Sequence, residues 1–137
     1  MDELLQRLRS EGFRMTQERL ALLQQFRDIG RIVTPAEMHQ IAQERGVSVG
    51  LTTVYRLFEA LTKVGATVPF LVDGTIYYTF CDADHHHHVI CMRCHRLTEV
   101  RGCPTYDGLP ANWEVQGHRV DWFGVCPECQ TDIQQAH

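Results

Sequence analysis

The sequence lacks the features that mark membrane-spanning and secreted proteins. No apolar run approaches the roughly 18 residues needed to cross a bilayer, and residues 1–13 are amphipathic and charged, without the apolar centre of a signal peptide. Cysteine is absent from residues 1–80. We therefore expect a cytoplasmic protein with no membrane partner, in which the later cysteines are metal ligands or redox thiols rather than a disulfide framework.

A positive net charge is also lacking, since the formal charge is -4 with histidines neutral. Taken alone, this value is unfavourable for a nucleic-acid-binding protein. The charge is uneven, however. Residues 1–80 carry nine Lys or Arg and nine Asp or Glu, whereas residues 81–137 carry four and eight. The acidity lies with the candidate metal ligands, and bound divalent cations would offset much of it.

Residues 1–65 have the apolar spacing of four amphipathic helices. Thr34 is followed by a proline and, three residues on, by Glu37, which predicts a capping box at the start of the third helix. The other helices are predicted to begin after Thr16 and after Ser48 or Thr52. Glycines at the ends of the apolar stripes are predicted to terminate the helices, namely Gly12, Gly30, Gly46 and Gly65.

After Gly65 the apolar period changes to two, which predicts strands. Thr67–Val72 and Thr75–Phe80 flank Asp73-Gly74, a strong signal for a tight β-hairpin. Helices followed by a hairpin form the order of a winged helix-turn-helix, a DNA-binding domain. A generic helical domain with a hairpin has the same order, so the pattern alone leaves both open.

The second half of the chain is predicted to be strand-rich. Its β-biased runs are His88–Ile90, Leu97–Val100 and His118–Val125. Residues 103–112 contain two prolines and a glycine, so any helix there is short. The expected fold class is α+β, with helices and a hairpin at residues 1–80 and a strand-rich, metal-binding domain at residues 81–137.

Two Cys-X-X-Cys motifs carry the clearest chemistry. Four thiolates from two such motifs satisfy a tetrahedral Zn²⁺ ion and leave no position for water or substrate, so the site is expected to be structural. Thioredoxin-like redox chemistry is the competing interpretation of a single motif, but a βαβ pattern is lacking. Cys103 has no partner spacing and is expected to be an ordinary thiol. The four ligands are Cys91, Cys94, Cys126 and Cys129.

Four consecutive histidines, residues 85–88, precede the first of these motifs. In an extended backbone, residues two apart face the same side, so His86 and His88 would face one site and His85 and His87 another. Cys81 lies five residues before His86 and is near enough in sequence to complete a Cys/His/His site. A thiolate in the set favours zinc or another soft ion, whereas imidazole alone also suits Fe, Ni and Cu.

Together these motifs resemble the ferric uptake regulator family of bacterial metal-responsive repressors, and within it the zinc uptake regulator branch. The resemblance implies an N-terminal winged helix-turn-helix, a small C-terminal α/β dimerisation domain, and a homodimer. In that dimer a regulatory metal at the hinge fixes the two winged-helix lobes for binding to a double-stranded DNA operator. It covers nearly the whole chain. The matching segments are Met15–Arg19, Gly50–Arg56, His85–Cys94 and His118–Cys129.

The resemblance also assigns residues to sites. The four cysteines of the paired motifs match the family's structural zinc site. The regulatory site of zinc-sensing members is matched by Cys81, His86 and His88. A further metal site is matched by His85, His87 and His118, with Asp107 as the preferred acidic ligand and Glu99 as the alternative. The helix after Gly50 matches the recognition helix, and the expected DNA-binding residues are Arg14, Thr16, Arg19, Thr52, Thr53, Tyr55 and Arg56.

Two departures from the family pattern bear on the regulatory metal. Iron-sensing and peroxide-sensing members carry a histidine where this chain has Ile32, which argues against those functions. Zinc-sensing members supply an aspartate from the first hairpin strand, but Ala66–Pro69 contains no carboxylate. The fourth ligand is therefore open. The candidates are a water molecule, Asp73, Asp82 and Asp84.

The expected function is a zinc-dependent repressor of metal-uptake genes, with no enzymatic activity and no small organic substrate. Sensing of Mn, Fe or Ni by the same family is the first alternative, because the site is atypical. A zinc hydrolase would need a motif such as His-Glu-X-X-His, which the sequence lacks. A metal buffer or chaperone would bind metal without binding DNA.

Overall fold

The computed structural model describes residues 2–81, 87–102, 106–116 and 118–135, and of residues 132–135 the backbone alone. The chain divides into two compact units, residues 1–83 and residues 84–137. No helix among the described residues is long and apolar enough to cross a membrane.

Four helices open the first unit: α1 (Asp2–Ser10), α2 (Gln17–Asp28), α3 (Pro35–Glu44) and α4 (Leu51–Lys63). The predicted caps of α2 and α3 are confirmed. Thr16 accepts a hydrogen bond from the Arg19 amide, and Thr34 and Glu37 form a reciprocal capping box. Each bond satisfies an N–H group that the first helical turn leaves without an intrahelical partner.

The predicted start of α4 is wrong. The N-cap is Gly50, and no side chain caps this helix. The prediction of glycines at the helix ends is confirmed, because the four predicted glycines have φ angles between 64° and 83°. This left-handed conformation is the one that ends a helix most readily at glycine.

The predicted hairpin has the expected bounds, β1 (Thr67–Val72) and β2 (Thr75–Phe80). An isolated antiparallel backbone bridge joins Val33 to Tyr78 of β2. The amide of Cys81 donates to the carbonyl oxygen of Ala66 at 3.0 Å, so Cys81 lies at the base of the hairpin. One apolar core joins the helices, and aromatic side chains of β2 pack on it: Phe58 lies 4.9 Å from Tyr78 between ring centroids.

The second unit is a three-stranded sheet with one helix. It contains β3 (His87–Cys91), β4 (Leu97–Val100), β5 (Asp121–Gly124) and α5 (Pro127–Gln135). The strand order is β4-β3-β5, with β3 antiparallel to β4 and parallel to β5. The last strand is shorter than the predicted run His118–Val125, and the helix after Pro127 was not predicted.

The hydrophobic cores of the two units differ greatly in size. The first unit has a cluster of buried apolar side chains drawn from all four helices. Among the described residues of the second unit, the buried hydrophobic side chains are Ile90 and Cys91, while Trp113 is 72% exposed. The predicted α+β class, a winged helix-turn-helix followed by a small α/β domain with a four-cysteine cluster, is confirmed.

Candidate metal centres and DNA-binding surface

The two Cys-X-X-Cys motifs meet at one point of the second unit. The sulfur atoms of Cys91, Cys94, Cys126 and Cys129 all lie within 4.8 Å of one another, and those of Cys94 and Cys126 are 3.8 Å apart. A tetrahedral Zn²⁺ ion with Zn–S bonds of about 2.3 Å separates its sulfur ligands by about 3.8 Å. The cluster therefore fits a structural zinc ion. Within the part of the chain that the structure describes, no other group of three or more potential ligands converges in this way.

The backbone prepares Cys91 to act as a thiolate. Burial alone would raise the pKa of this thiol, but N–H groups of Cys126, Cys94 and Arg93 point at its sulfur and together lower the pKa from 9.0 to about 5. Their N···S distances are 3.4, 3.5 and 3.4 Å. Hydrogen bonds from N–H groups favour the charged form of a thiol, so Cys91 is ready to bind a cation.

Cys126 and Cys129, whose pKa values are raised, resist ionisation in the absence of a cation. The hydrogen bond between Cys129 and Cys126, followed by burial and the nearby Cys91 and Cys94, raises the pKa of Cys129 to about 12. Thiols this close cannot all become negative without a compensating charge. A divalent cation supplies that charge, which is the expected behaviour of a metal site rather than of a redox pair.

The two described histidines of the run lie on opposite faces of β3. His88 is paired in register with Glu99 of β4 and Asp121 of β5, whereas His87 is paired with Val100. Both side chains are nevertheless buried, at 1% exposure for His87 and 4% for His88. The opposite orientations agree with the alternation expected from the sequence; His85 and His86 lie outside the described residues.

The face of β3 that carries His87 also carries other aromatic rings. The rings of His87 and His118 are stacked at 5.3 Å between centroids, and Trp122 meets His87 edge-on at 6.1 Å. Asp107 is exposed and does not join these rings in a converging group of ligands within the described residues. The register pairs Glu99 with His88, on the opposite face from His87.

Sequence reasoning missed Asp121, which lies beside His88. Its Oδ1 atom is 3.5 Å from His88 Nδ1, and its Oδ2 atom accepts a 2.6 Å hydrogen bond from Arg119. The only local signal was an acidic residue at the start of an otherwise aromatic strand. The neighbour relation comes from the parallel pairing of β3 with β5, which the sequence pattern did not reveal.

The structure narrows the candidates for the fourth regulatory ligand. Asp73 forms the tip of the hairpin and Cys81 lies at its base, with all of β2 between them. Six strand residues extend about 20 Å, so one metal ion cannot bind both residues of the same chain. The candidate Asp73 is therefore wrong. Asp82 and Asp84 lie outside the described residues. Ile32 is fully buried, at 0% exposure, where iron-sensing members were expected to carry a histidine.

Helix α4 presents the side chains expected to read DNA. Thr52, Tyr55 and Arg56 are exposed, with Tyr55 54% exposed, and Thr53 is half-buried. The opposite face of the same helix is buried through Val54, Leu57, Phe58 and Leu61. Tyr55 is thus a surface residue and not a member of the core.

Residues near the start of α2 have structural contacts of their own. The Thr16 hydroxyl caps the helix, and the Arg19 guanidinium donates to the Arg14 carbonyl oxygen at 2.6 Å. The same guanidinium lies 4.9 Å above the ring of Phe13, a cation–π geometry. Arg14 is exposed.

Comparison with known proteins agrees with this architecture. The model of the ferric uptake regulator family matches residues 10–120, most of the chain. The protein belongs to the ferric uptake regulator family. It is accordingly a metal-responsive transcription regulator, and the family's members bind DNA operators as dimers.

Its relatives include regulators named for different metals. It is 28% identical over 131 residues to the ferric uptake regulation protein of Neisseria meningitidis, covering 90% of each chain. It is also 28% identical over 127 residues to the zinc uptake regulation protein of Mycobacterium tuberculosis, covering 88% of this chain and 97% of the relative. The solved ferric uptake regulator of Helicobacter pylori has the same fold, with a TM-score of 0.65 at 22% identity over 94% of this chain and 93% of that one.

Proposed function

We propose that this family member is a zinc-dependent repressor of metal-uptake genes. In this proposal residues 1–80 bind operator DNA, and residues 81–137 bind metal and form a homodimer. Cys81, His86 and His88 supply ligands to the regulatory zinc. Metal binding favours the operator-binding form of the dimer because the metal has a higher affinity for that form, which is the only way a ligand can shift such an equilibrium.

The choice of zinc depends on one observation: the chain has a cysteine, Cys81, among the proposed ligands and no histidine at position 32. Cys81 offers a soft sulfur ligand, which favours zinc over harder ions. The position where iron-sensing members carry a histidine holds Ile32, whose side chain is enclosed in the first unit. The relatives support regulation by metal but not a particular metal, because iron-named and zinc-named proteins are equally similar.

The register of the second sheet supports a candidate for the fourth ligand. Glu99 is the cross-strand partner of His88, so the two side chains leave the same face of the sheet. We therefore place Glu99 with the regulatory site. The further site retains His85, His87 and His118 as proposed ligands, with Asp107 as the proposed acidic ligand.

The proposed DNA contacts centre on α4. Arg56 can bond guanine or a phosphate, Tyr55 can pack on a thymine methyl group, and Thr52 and Thr53 can reach phosphates. Arg14, Thr16 and Arg19 are proposed to add contacts to the DNA backbone. Because residues 1–80 have equal numbers of acidic and basic residues, general electrostatic attraction is weak and the exposed face of α4 must provide the specificity.

Operator binding measured against buffered free zinc tests the proposal. Fluorescence anisotropy with labelled promoter DNA should show a large gain in affinity when zinc rises above the level that fills the four-cysteine site. The variant Cys81→Ser should keep its fold and structural zinc but lose that gain. Cys103→Ser is the matched control and should behave as the wild type. No gain with zinc in the wild type would contradict the proposal.

Metal selectivity needs a separate experiment. Protein with its four-cysteine site already filled is titrated with Zn²⁺, Mn²⁺, Fe²⁺ and Ni²⁺ under anaerobic conditions, and operator binding is measured at each free-metal concentration. Activation by zinc at the lowest concentration supports zinc sensing. Activation by one of the other ions at concentrations where zinc is inactive would assign the protein to that metal instead.

A further inference from the structure

The side chain of Asp121 is largely enclosed, and only one of its two carboxylate oxygens accepts a hydrogen bond from a described residue. Its side chain is 11% exposed. Oδ2 accepts the 2.6 Å hydrogen bond from Arg119, whereas Oδ1 accepts no hydrogen bond from any described residue. A buried carboxylate oxygen without a donor is unfavourable, because it has lost its hydrogen bonds to water. The group that faces Oδ1 is Nδ1 of His88, 3.5 Å away, slightly beyond normal hydrogen-bond length.

The backbone fixes this pairing. Asp121 and His88 are register partners in the parallel pair β3–β5, so their side chains leave the same face of the sheet side by side. Arg119 lies two residues before Asp121 and donates a hydrogen bond to Oδ2 of its carboxylate. The other oxygen, Oδ1, is thereby directed toward the imidazole of His88.

The protonation of an imidazole decides which nitrogen can bind metal. When Nδ1 carries the proton, the lone pair available to a metal is on Nε2. A carboxylate beside Nδ1 stabilises this tautomer and fixes the ring orientation. Metal bound at Nε2 withdraws electron density and makes the Nδ1–H group a stronger donor, so binding would strengthen the contact with Asp121.

We infer that Asp121, held by Arg119, is a positioning residue that keeps the proton of His88 on Nδ1 and presents Nε2 to the regulatory metal. The inference rests on the proposed role of His88 as a ligand of that metal. Outer partners of ligating histidines typically change metal affinity about 10–100-fold when they are removed.

The first test compares Asp121→Asn with the wild type, both with the four-cysteine site filled. Competition with a chromogenic chelator should show zinc binding at the regulatory site weakened about 10–100-fold, with structural zinc unchanged. Glu114→Gln removes an exposed carboxylate of the same unit and should have no effect. Equal affinity of Asp121→Asn and wild type would overturn the inference.

A second readout does not depend on metal sensing. Nitrogen-15 NMR of protein without regulatory metal should show His88 protonated at Nδ1 in the wild type and a mixture of tautomers in Asp121→Asn. A wild-type histidine protonated mainly at Nε2 would refute the role of Asp121. Absence of regulatory zinc binding in a wild type with the expected tautomer would instead refute the proposed function.

Cobalt substitution separates positioning from direct ligation. With saturating Co²⁺ at the regulatory site, Asp121→Asn should show the same d–d bands as the wild type, because the ligand set is unchanged. A change in band intensity or energy that indicates a lost ligand would show that Asp121 binds the metal itself, and the positioning role would be wrong.

Discussion

Loss of the structural zinc should unfold residues 84–137 while residues 1–83 stay folded. The perturbation is either chelation of the metal or the variant Cys126→Ser, which removes one of four sulfur ligands. The two units should respond differently because their sources of stability differ. Among the described residues, the first unit has a core cluster of sixteen buried apolar side chains, and the second has the four-cysteine cluster.

The expected loss of stability follows from comparing the apolar burial in the second unit with the free energy of zinc binding. In the described part of the second unit, Ile90 is the one fully buried aliphatic side chain, and its burial contributes about 1.5–3 kcal/mol. Zinc binding to a structural site of this type contributes about 10–16 kcal/mol at neutral pH. The metal is therefore the largest single source of stability in this unit, because a domain this small buries too little of its surface to be more than marginally stable by itself.

Hydrogen exchange detected by NMR or mass spectrometry resolves the two units in one sample. After chelation, the amides of β3 should exchange at the rate of an unfolded chain, while those of α4 keep their protection. Tryptophan fluorescence gives a second probe, because Trp113 and Trp122 both belong to the second unit. Circular dichroism should change little, since most of the helix lies in α1–α4.

Cys103→Ser is the control for Cys126→Ser, because Cys103 is not a proposed ligand. It should retain the structural zinc ion and normal protection in β3. The reasoning would be refuted if β3 kept full protection after the zinc was removed and its absence confirmed by elemental analysis. A loss of protection in α4 together with β3 would show that the units unfold as one.

Three further results are expected. Thr34→Ala removes the capping box of α3 and should lower the free energy of unfolding by about 1 kcal/mol, measured by urea denaturation; an unchanged midpoint would contradict this. Arg56→Ala should weaken specific operator binding by about 1–3 kcal/mol without changing zinc content, and equal binding of the variant would exclude a direct contact. Burial raises the pKa of Cys91, but hydrogen bonds from backbone N–H groups outweigh burial and lower the pKa from 9.0 to about 5. The stabilisation of the folded unit by this thiolate is therefore complete above pH 9.0 and is lost as the pH falls through about 5. A zinc indicator should report metal release in that range, and full retention well below pH 5 would show that this thiol does not control it.

Local sequence signals predicted the first unit well. The hairpin strands have the predicted bounds because Asp73-Gly74 fixes both the turn and the register. Thr34 and Glu37 cap α3 through contacts within four residues. The start of α4 was missed because Gly50 has no side chain to serve as a capping signal, and nearby Ser48 and Thr52 are better capping residues by type.

The second unit was harder to predict because its contacts join distant segments. The Cys-X-X-Cys spacing identified the four-cysteine cluster, since metal geometry requires that spacing. Nothing local indicates that β5 pairs with β3, so the approach of Asp121 to His88 could not be anticipated. Helix α5 was missed because Pro127–Gln135 lacks an apolar stripe, although proline at a first helical position is a known start signal.

The hydrogen bond from the amide of Cys81 to Ala66 connects a proposed metal ligand directly to the segment that follows the recognition helix. Ala66 is the third residue after Lys63, the last residue of α4, and its carbonyl oxygen accepts a hydrogen bond from the amide of Cys81. No flexible linker separates the sulfur atom from the end of the helix. A metal ligand can shift by about one ångström as it adjusts to its ion. Because well-packed structure transmits strain, such a shift of Cys81 would also move the base of the hairpin and the C-terminal turn of α4.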